Sequence, residues 1–163
     1  MKAVEISGKD IYDWATAKVE KLRLPVPTKP SFPSPEFELP DDPNRLTSTE
    51  LGQLMLRMTA FYGYCLRMLG MVESELCVVE AEYKIKVHTA SLEVRKEMEG
   101  RPAVDVVEAA VLAQNEDLTP LYKRRLELMA IRQQLDARLK IYEKCGSTLS
   151  RELSRREVET RIT

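Results

Sequence analysis

The sequence predicts an all-α protein: a long antiparallel helical hairpin with coiled-coil packing, preceded by a short helix and a proline-rich tether. Three observations carry that expectation. Charged residues make up 31% and glycines number only six, a balance that favours long helices over a strand-rich domain. No proline occurs between Pro43 and Pro102. Within that stretch Leu51, Met55, Met58, Tyr62, Cys65, Leu69, Val72, Leu76, Val79 and Tyr83 follow alternating steps of four and three, the pattern of a coiled-coil seam.

The first element is an arm over residues 1–23. Ser7-x-x-Asp10 suits a helix start, and Ile11, Trp14, Ala15 and Leu22 recur at helical spacing. Trp14 is the natural anchor, whether the arm docks on the body of the protein or binds something else. Residues 24–46 form the tether, and seven of the nine prolines fall in "LPVPTKPSFPSPEFELPDDP". Proline removes backbone donors and fixes φ near the polyproline value, so this segment reads as extended, reaching about 60 Å at roughly 3.1 Å per residue.

The hairpin occupies residues 47–163, with helices expected over about 48–99, 103–114 and 118–160. Thr47 or Ser48 can cap the first, and Glu50 stands at the capping-box spacing from Thr47. A helix of about 52 residues would measure about 78 Å, against a radius of gyration of about 15 Å for a compact domain of this length. An elongated protein is therefore expected. Gly100 suits a C-cap and Pro102 the first turn of the next helix. Asn115, Asp117 or Thr119 can cap the last helix, with Pro120 in its first turn. Leu121, Leu128, Ile131, Leu135, Leu139, Tyr142, Cys145, Leu149 and Leu153 then return along the first helix.

Beside the main seam, Leu54, Phe61, Tyr64, Met68 and Met71 add a second apolar row. One partner helix cannot cover so broad a stripe, so self-association is expected through Leu51, Leu54, Met55, Met58, Phe61, Tyr62, Cys65, Met68, Leu69 and Val72. The methionines also suit an adaptable surface for a different protein.

Several function classes have no support. Cys65, Cys77 and Cys145 are odd in number and lack paired spacing, which argues against a disulfide framework and a zinc site. His88 has no glutamate three residues before it and no recognisable nucleophile, so no metal, cofactor, small-molecule substrate or enzyme activity is expected. No run of about 18 apolar residues marks a membrane span, and the start of the chain lacks targeting character. A cytoplasmic protein is expected.

The net charge of −1 hides an asymmetry, since residues 119–163 carry eleven basic and six acidic side chains. Lys123, Arg124, Arg125 and Arg132 cluster near the start of the last helix, while Lys140, Lys144, Arg151 and Arg155 share a face at steps of four, seven and four. Such a row is either a solvated helix face or a phosphate-binding surface without base readout. Tyr122 and Tyr142, on the same helix, suit core positions or stacking platforms for bases.

The order "TAFYGYCLRML", "VVEAEYKIKV", "LAQNEDL" and "YEKCGSTLSREL" resembles the small phage recombination mediators of the UvsY type, over residues 48–155. The resemblance implies an oligomeric, non-enzymatic, single-stranded-DNA-binding protein. Such a protein helps a RecA-like recombinase displace a single-strand-binding protein, with the basic residues of the last helix contacting phosphate. The competing reading is a phage or bacterial structural adaptor, scaffold or assembly chaperone that acts only through protein contacts.

Overall fold

A computed structural model of the chain describes residues 7–21, 26–39, 42–98, 100 and 102–162, without the side chain of Phe37. Leu22, counted above in the arm's apolar pattern, lies outside the described residues. The protein is all-α, with α1 (Gly8–Glu20), α2 (Ser48–Glu97), α3 (Val104–Gln114) and α4 (Thr119–Ile162), and no strand occurs among the described residues.

Local chemistry accounts for the helix ends. Ser7 accepts the Lys9 amide at 3.1 Å to start α1. At α2 the capping box forms reciprocally: Glu50 N donates to Thr47 Oγ1 at 3.2 Å, and Thr47 N donates to Glu50 Oε2 at 2.7 Å. Hydrogen bonds from the Thr47 amide and hydroxyl hold the Glu50 carboxyl below its ordinary value. Gly100, with φ of 84°, adopts the left-handed conformation that turns the chain after α2 at no Cβ penalty. Pro102 precedes the next helix, because α3 begins at Val104 with extended Ala103 as its N-cap. Pro120 is the second residue of α4, where a missing N–H costs no helical hydrogen bond.

The chain forms two compact units. The first combines α1 up to Lys18 with Met71–Arg132, and the second combines residues 19–70 with the chain from Gln133 onward. Each takes part of α2 and part of α4.

In the first unit Val94, Val107, Val111 and Leu118 form a buried cluster supported by Val87, Ala90 and Met98. Tyr83, 4% exposed, donates to Glu108 Oε1 at 2.6 Å. Its ring lies 5.7 Å from that of Tyr122 and beneath the Arg125 guanidinium at 5.3 Å. Burial and the Glu108 contact push the Tyr83 hydroxyl well above its ordinary pKa.

Gly8 brings α1 to α2. A Cβ there would run into the Cα of Glu75 and lie 2.8 Å from its amide nitrogen. Helix propensity alone would favour alanine at this position by about 1 kcal/mol. The close approach reverses the sign: Gly8→Ala is expected to cost about 1–3 kcal/mol of α1 docking. Hydrogen exchange would report faster amide exchange over residues 11–20, with unchanged protection over 76–94. Unchanged protection of α1 would refute the steric account.

In the second unit α2 and α4 run antiparallel, with Cys65 beside Leu135 and Phe61 against Tyr142. Leu51, Met58 and Cys65 recur every seven residues, as do Tyr142 and Leu149, and these form one core with Leu54. The proline-rich segment is seated on this pair of helices. Pro35 is fully buried, Leu39 and Leu46 pack on the core, and the Phe32 ring meets that of Phe61 edge-on at 5.6 Å. Ser34 and Tyr142 share a 2.7 Å hydrogen bond. The segment is thus a strap, with apolar side chains that find burial between its prolines.

Candidate nucleic-acid interface

The eight candidate cations divide equally between the units. In the first unit each of the four has a carboxylate nearby. Arg124 donates to Glu75 from Nε at 3.0 Å, Arg132 to Glu73 at 3.1 Å, and Arg125 lies 3.5 Å from Glu80. Lys123 stands 3.9 Å from Glu127. The contact with Glu75 raises the Arg124 pKa, holding that guanidinium charged.

The second unit holds Lys140, Lys144, Arg151 and Arg155. At about 100° per residue, the first three lie about 160–200° around α4 from Tyr142, on the side turned away from the core. All three are exposed, and among the described residues none has a carboxylate within ion-pair distance. Arg155 stands apart from them. It donates to Glu152 at 2.7 and 2.9 Å, to Asn44 at 3.1 Å, and to Glu159.

Charge counting along the sequence missed the arginines that fasten the strap. Arg138 pairs with Glu36, and Arg57 with Glu38 at 2.6 Å. Arg67 donates to the Pro27 carbonyl at 3.1 Å. Arg156 donates to the carbonyls of Leu46 at 2.6 Å and Pro43 at 3.1 Å, and also to Glu152 at 2.7 Å. Helical arithmetic could have singled out two of these, since Arg138 and Arg156 lie within about 40° of Tyr142 around α4, on the seam side. The seat is imperfect in its polar contacts, because Glu36 Oε2 and the Nε groups of Arg57 and Arg67 are buried without a hydrogen-bond partner. Apolar burial of Pro35, Leu39 and Leu46 adds to these polar contacts in attaching the strap.

Glu152 links Arg155 and Arg156, whose hydrogen bonds hold its carboxyl down to about 2, against an ordinary 4.5. A depressed folded-state pKa contributes stability that is present above the unfolded value and lost as pH falls through the folded value. The melting temperature should therefore fall between about pH 4.5 and pH 2, releasing Arg156 from its carboxylate. Glu152→Gln should flatten that part of the profile in melts followed by circular dichroism. Identical slopes for the two proteins below pH 4.5 would show that Glu152 does not set acid stability.

The candidate oligomer residues are placed as follows. Leu51, Leu54, Met58 and Cys65 are buried in the chain's own core, and Met55, Phe61 and Tyr62 pack against it. Met68, Leu69 and Val72 are half-buried. The strap supplies part of the cover that the double apolar row requires, so any contact between copies must use the outer residues. Trp14 is 65% exposed with the Lys18 ammonium over its ring at 5.6 Å, and the close approach of the arm falls at Gly8 instead. Tyr142, stacked on Phe61 and 7% exposed, is a core residue and not a platform for bases.

The cysteines are free, and burial pushes the thiols of Cys65 and Cys145 upward, away from reactivity. Among the described residues no group of three or more His, Cys, Asp or Glu side chains could hold a metal, and no helix is long and apolar enough to cross a membrane. No protein-family model matches the chain, and neither a curated protein nor a solved structure matches it.

Proposed function

We infer that the protein is a non-enzymatic, self-associating helical protein that binds single-stranded DNA in the bacterial cytoplasm as an accessory to a RecA-like recombinase. The observation that supports DNA binding is the exposed row of Lys140, Lys144 and Arg151, without carboxylate partners among the described residues. Cations with no internal partner are available to replace the counterions of a phosphate backbone. The recombinase partner rests on the resemblance of the chain to the UvsY-type mediators. Self-association has support in exposed apolar side chains on α2, with Leu56 69% and Leu66 44% exposed.

The test is a titration of fluorescently labelled oligo-dT at two salt concentrations, with protein whose oligomeric state has been fixed by sedimentation. Binding that weakens as salt rises supports the reading. Absence of binding at low salt, or affinity indifferent to salt, rejects it. A second reading, an adaptor acting through protein contacts alone, draws on the carboxylates that accompany Arg124, Arg125, Arg132 and Arg155. It also draws on the exposed Trp14.

A further inference from the structure

Between Pro30 and Asn44 the strap carries four carboxylates and no basic side chain. Arginines of the two helices beneath it supply the opposite charge. Arg57 of α2 grips both oxygens of Glu38, at 2.6 and 2.8 Å, and Arg138 of α4 pairs with Glu36. Three more guanidinium groups donate to neutral oxygens of the strap: Arg67 to the Pro27 carbonyl, Arg155 to the Asn44 side chain, and Arg156 to the carbonyls of Pro43 and Leu46. Arginines of both helices are thus held by oxygens spaced along one segment.

Guanidinium forks that meet charged oxygens are also the contacts that hold phosphate. The apolar part of the seat carries the same likeness. The Phe32 ring meets Phe61 edge-on at 5.6 Å and lies beneath the Arg57 guanidinium at 5.4 Å. A base set on an aromatic side chain beside a cation makes the same pair of contacts. The strap satisfies its arginines incompletely, since the Nε groups of Arg57 and Arg67 are buried without an acceptor. A phosphodiester brings two charged oxygens where Arg67 now meets one neutral carbonyl.

We propose that the strap is an internal competitor covering a second contact surface for single-stranded DNA. There Arg57 and Arg138 take phosphate in place of Glu38 and Glu36, and Phe61 takes a base in place of Phe32. The proposal rests on the reading of the chain as a DNA-binding protein, and its surface is distinct from the row of Lys140, Lys144 and Arg151, which lies on the side of α4 turned away from Tyr142. The strap runs directly into α2 at Ser48, so it competes at a high local concentration, and DNA reaches only the uncovered fraction of the chains.

The test is a titration of labelled oligo-dT at low salt with the full chain, with E36Q/E38Q, and with E143Q/E157Q, which makes the same charge change at exposed positions of α4. E36Q/E38Q is expected to bind at least about fivefold more tightly than wild type, because a weaker competitor leaves a larger uncovered fraction. E143Q/E157Q should fall short of that gain. Hydrogen exchange of the wild-type chain gives a reading that does not depend on how the variants fold: saturating oligo-dT should speed exchange over residues 31–39 as the strap leaves its seat. Equal affinities of E36Q/E38Q and wild type, an equal gain in E143Q/E157Q, or strap exchange that stays unchanged or slows would each overturn the proposal. So would self-association of E36Q/E38Q in sedimentation without a gain for oligo-dT, which would mark the covered face as a contact between copies. Binding by wild type with no gain in E36Q/E38Q removes the role of the strap and leaves DNA binding standing. Binding by E36Q/E38Q alone keeps the covered surface and removes the exposed row, and no binding by any of the three chains removes both.

Discussion

Replacing Leu149 with alanine is expected to destabilise the second unit by about 2–5 kcal/mol, the usual cost of deleting a fully buried leucine. Leu149 is 0% exposed and belongs to the core formed by Leu51, Leu54, Met58, Cys65 and Tyr142. The loss combines the transfer free energy of the removed atoms with the cavity left behind. That cavity could close only by moving two helices and a strap together. Leu39 and Leu46 pack on the same cluster, so the strap should loosen with it. Urea unfolding followed by circular dichroism checks the magnitude, with Leu66→Ala as the control because Leu66 is 44% exposed. A Leu149→Ala cost no larger than that of the control would mean that the heptad seam does not carry the stability of this unit.

The helices were legible because their ends are written in local chemistry. Thr47 and Glu50 form the capping box that their spacing suggests, and Gly100 turns the chain where a glycine was needed. The observed bounds Ser48–Glu97, Val104–Gln114 and Thr119–Ile162 differ by one or two residues from those expected. Interactions within four residues decide such features, and periodicity then extends them through each helix.

The seat of the strap was not legible for the opposite reason. Seven prolines predict an extended segment over residues 24–43, but the described part includes 3-10 turns at Pro35–Phe37 and Pro43–Arg45, and nothing local says what the segment lies against. Glu36 meets Arg138 across 102 positions of sequence, and Ser34 meets Tyr142 across 108. Leu54, Phe61 and their neighbours mark a broad apolar stripe in the sequence, whereas the source of its cover depends on contacts of that range. Partnership among charges is equally non-local. Counting gives residues 119–163 a surplus of five positive charges, yet Glu73, Glu75 and Glu80 on α2 engage Arg132, Arg124 and Arg125. Among the described residues Lys140, Lys144 and Arg151, on the side of α4 away from Tyr142, have no carboxylate within ion-pair distance, which a charge count does not show.

Reversing those cations gives the second large effect. The triple variant K140E/K144E/R151E is expected to lose most of its affinity for oligo-dT at low salt. Each phosphate contact contributes about 0.7 to the slope of log affinity against log salt for a single strand, so three lost contacts should reduce it by about 2. All three positions are exposed, and unchanged helical circular dichroism would establish that the fold is kept. The informative comparison is K123E/R124E/R132E, which carries the same charge change on residues that have Glu127, Glu75 and Glu73 beside them. A cation already held by a carboxylate must give up that contact before it meets a phosphate, so its net contribution is smaller. The first variant should therefore weaken binding more than the second. Equal losses would assign binding to net charge alone, and a larger loss in the second variant would move the interface to the first unit. If neither variant binds less than wild type, phosphate recognition does not reside on α4, and the adaptor reading becomes the stronger one.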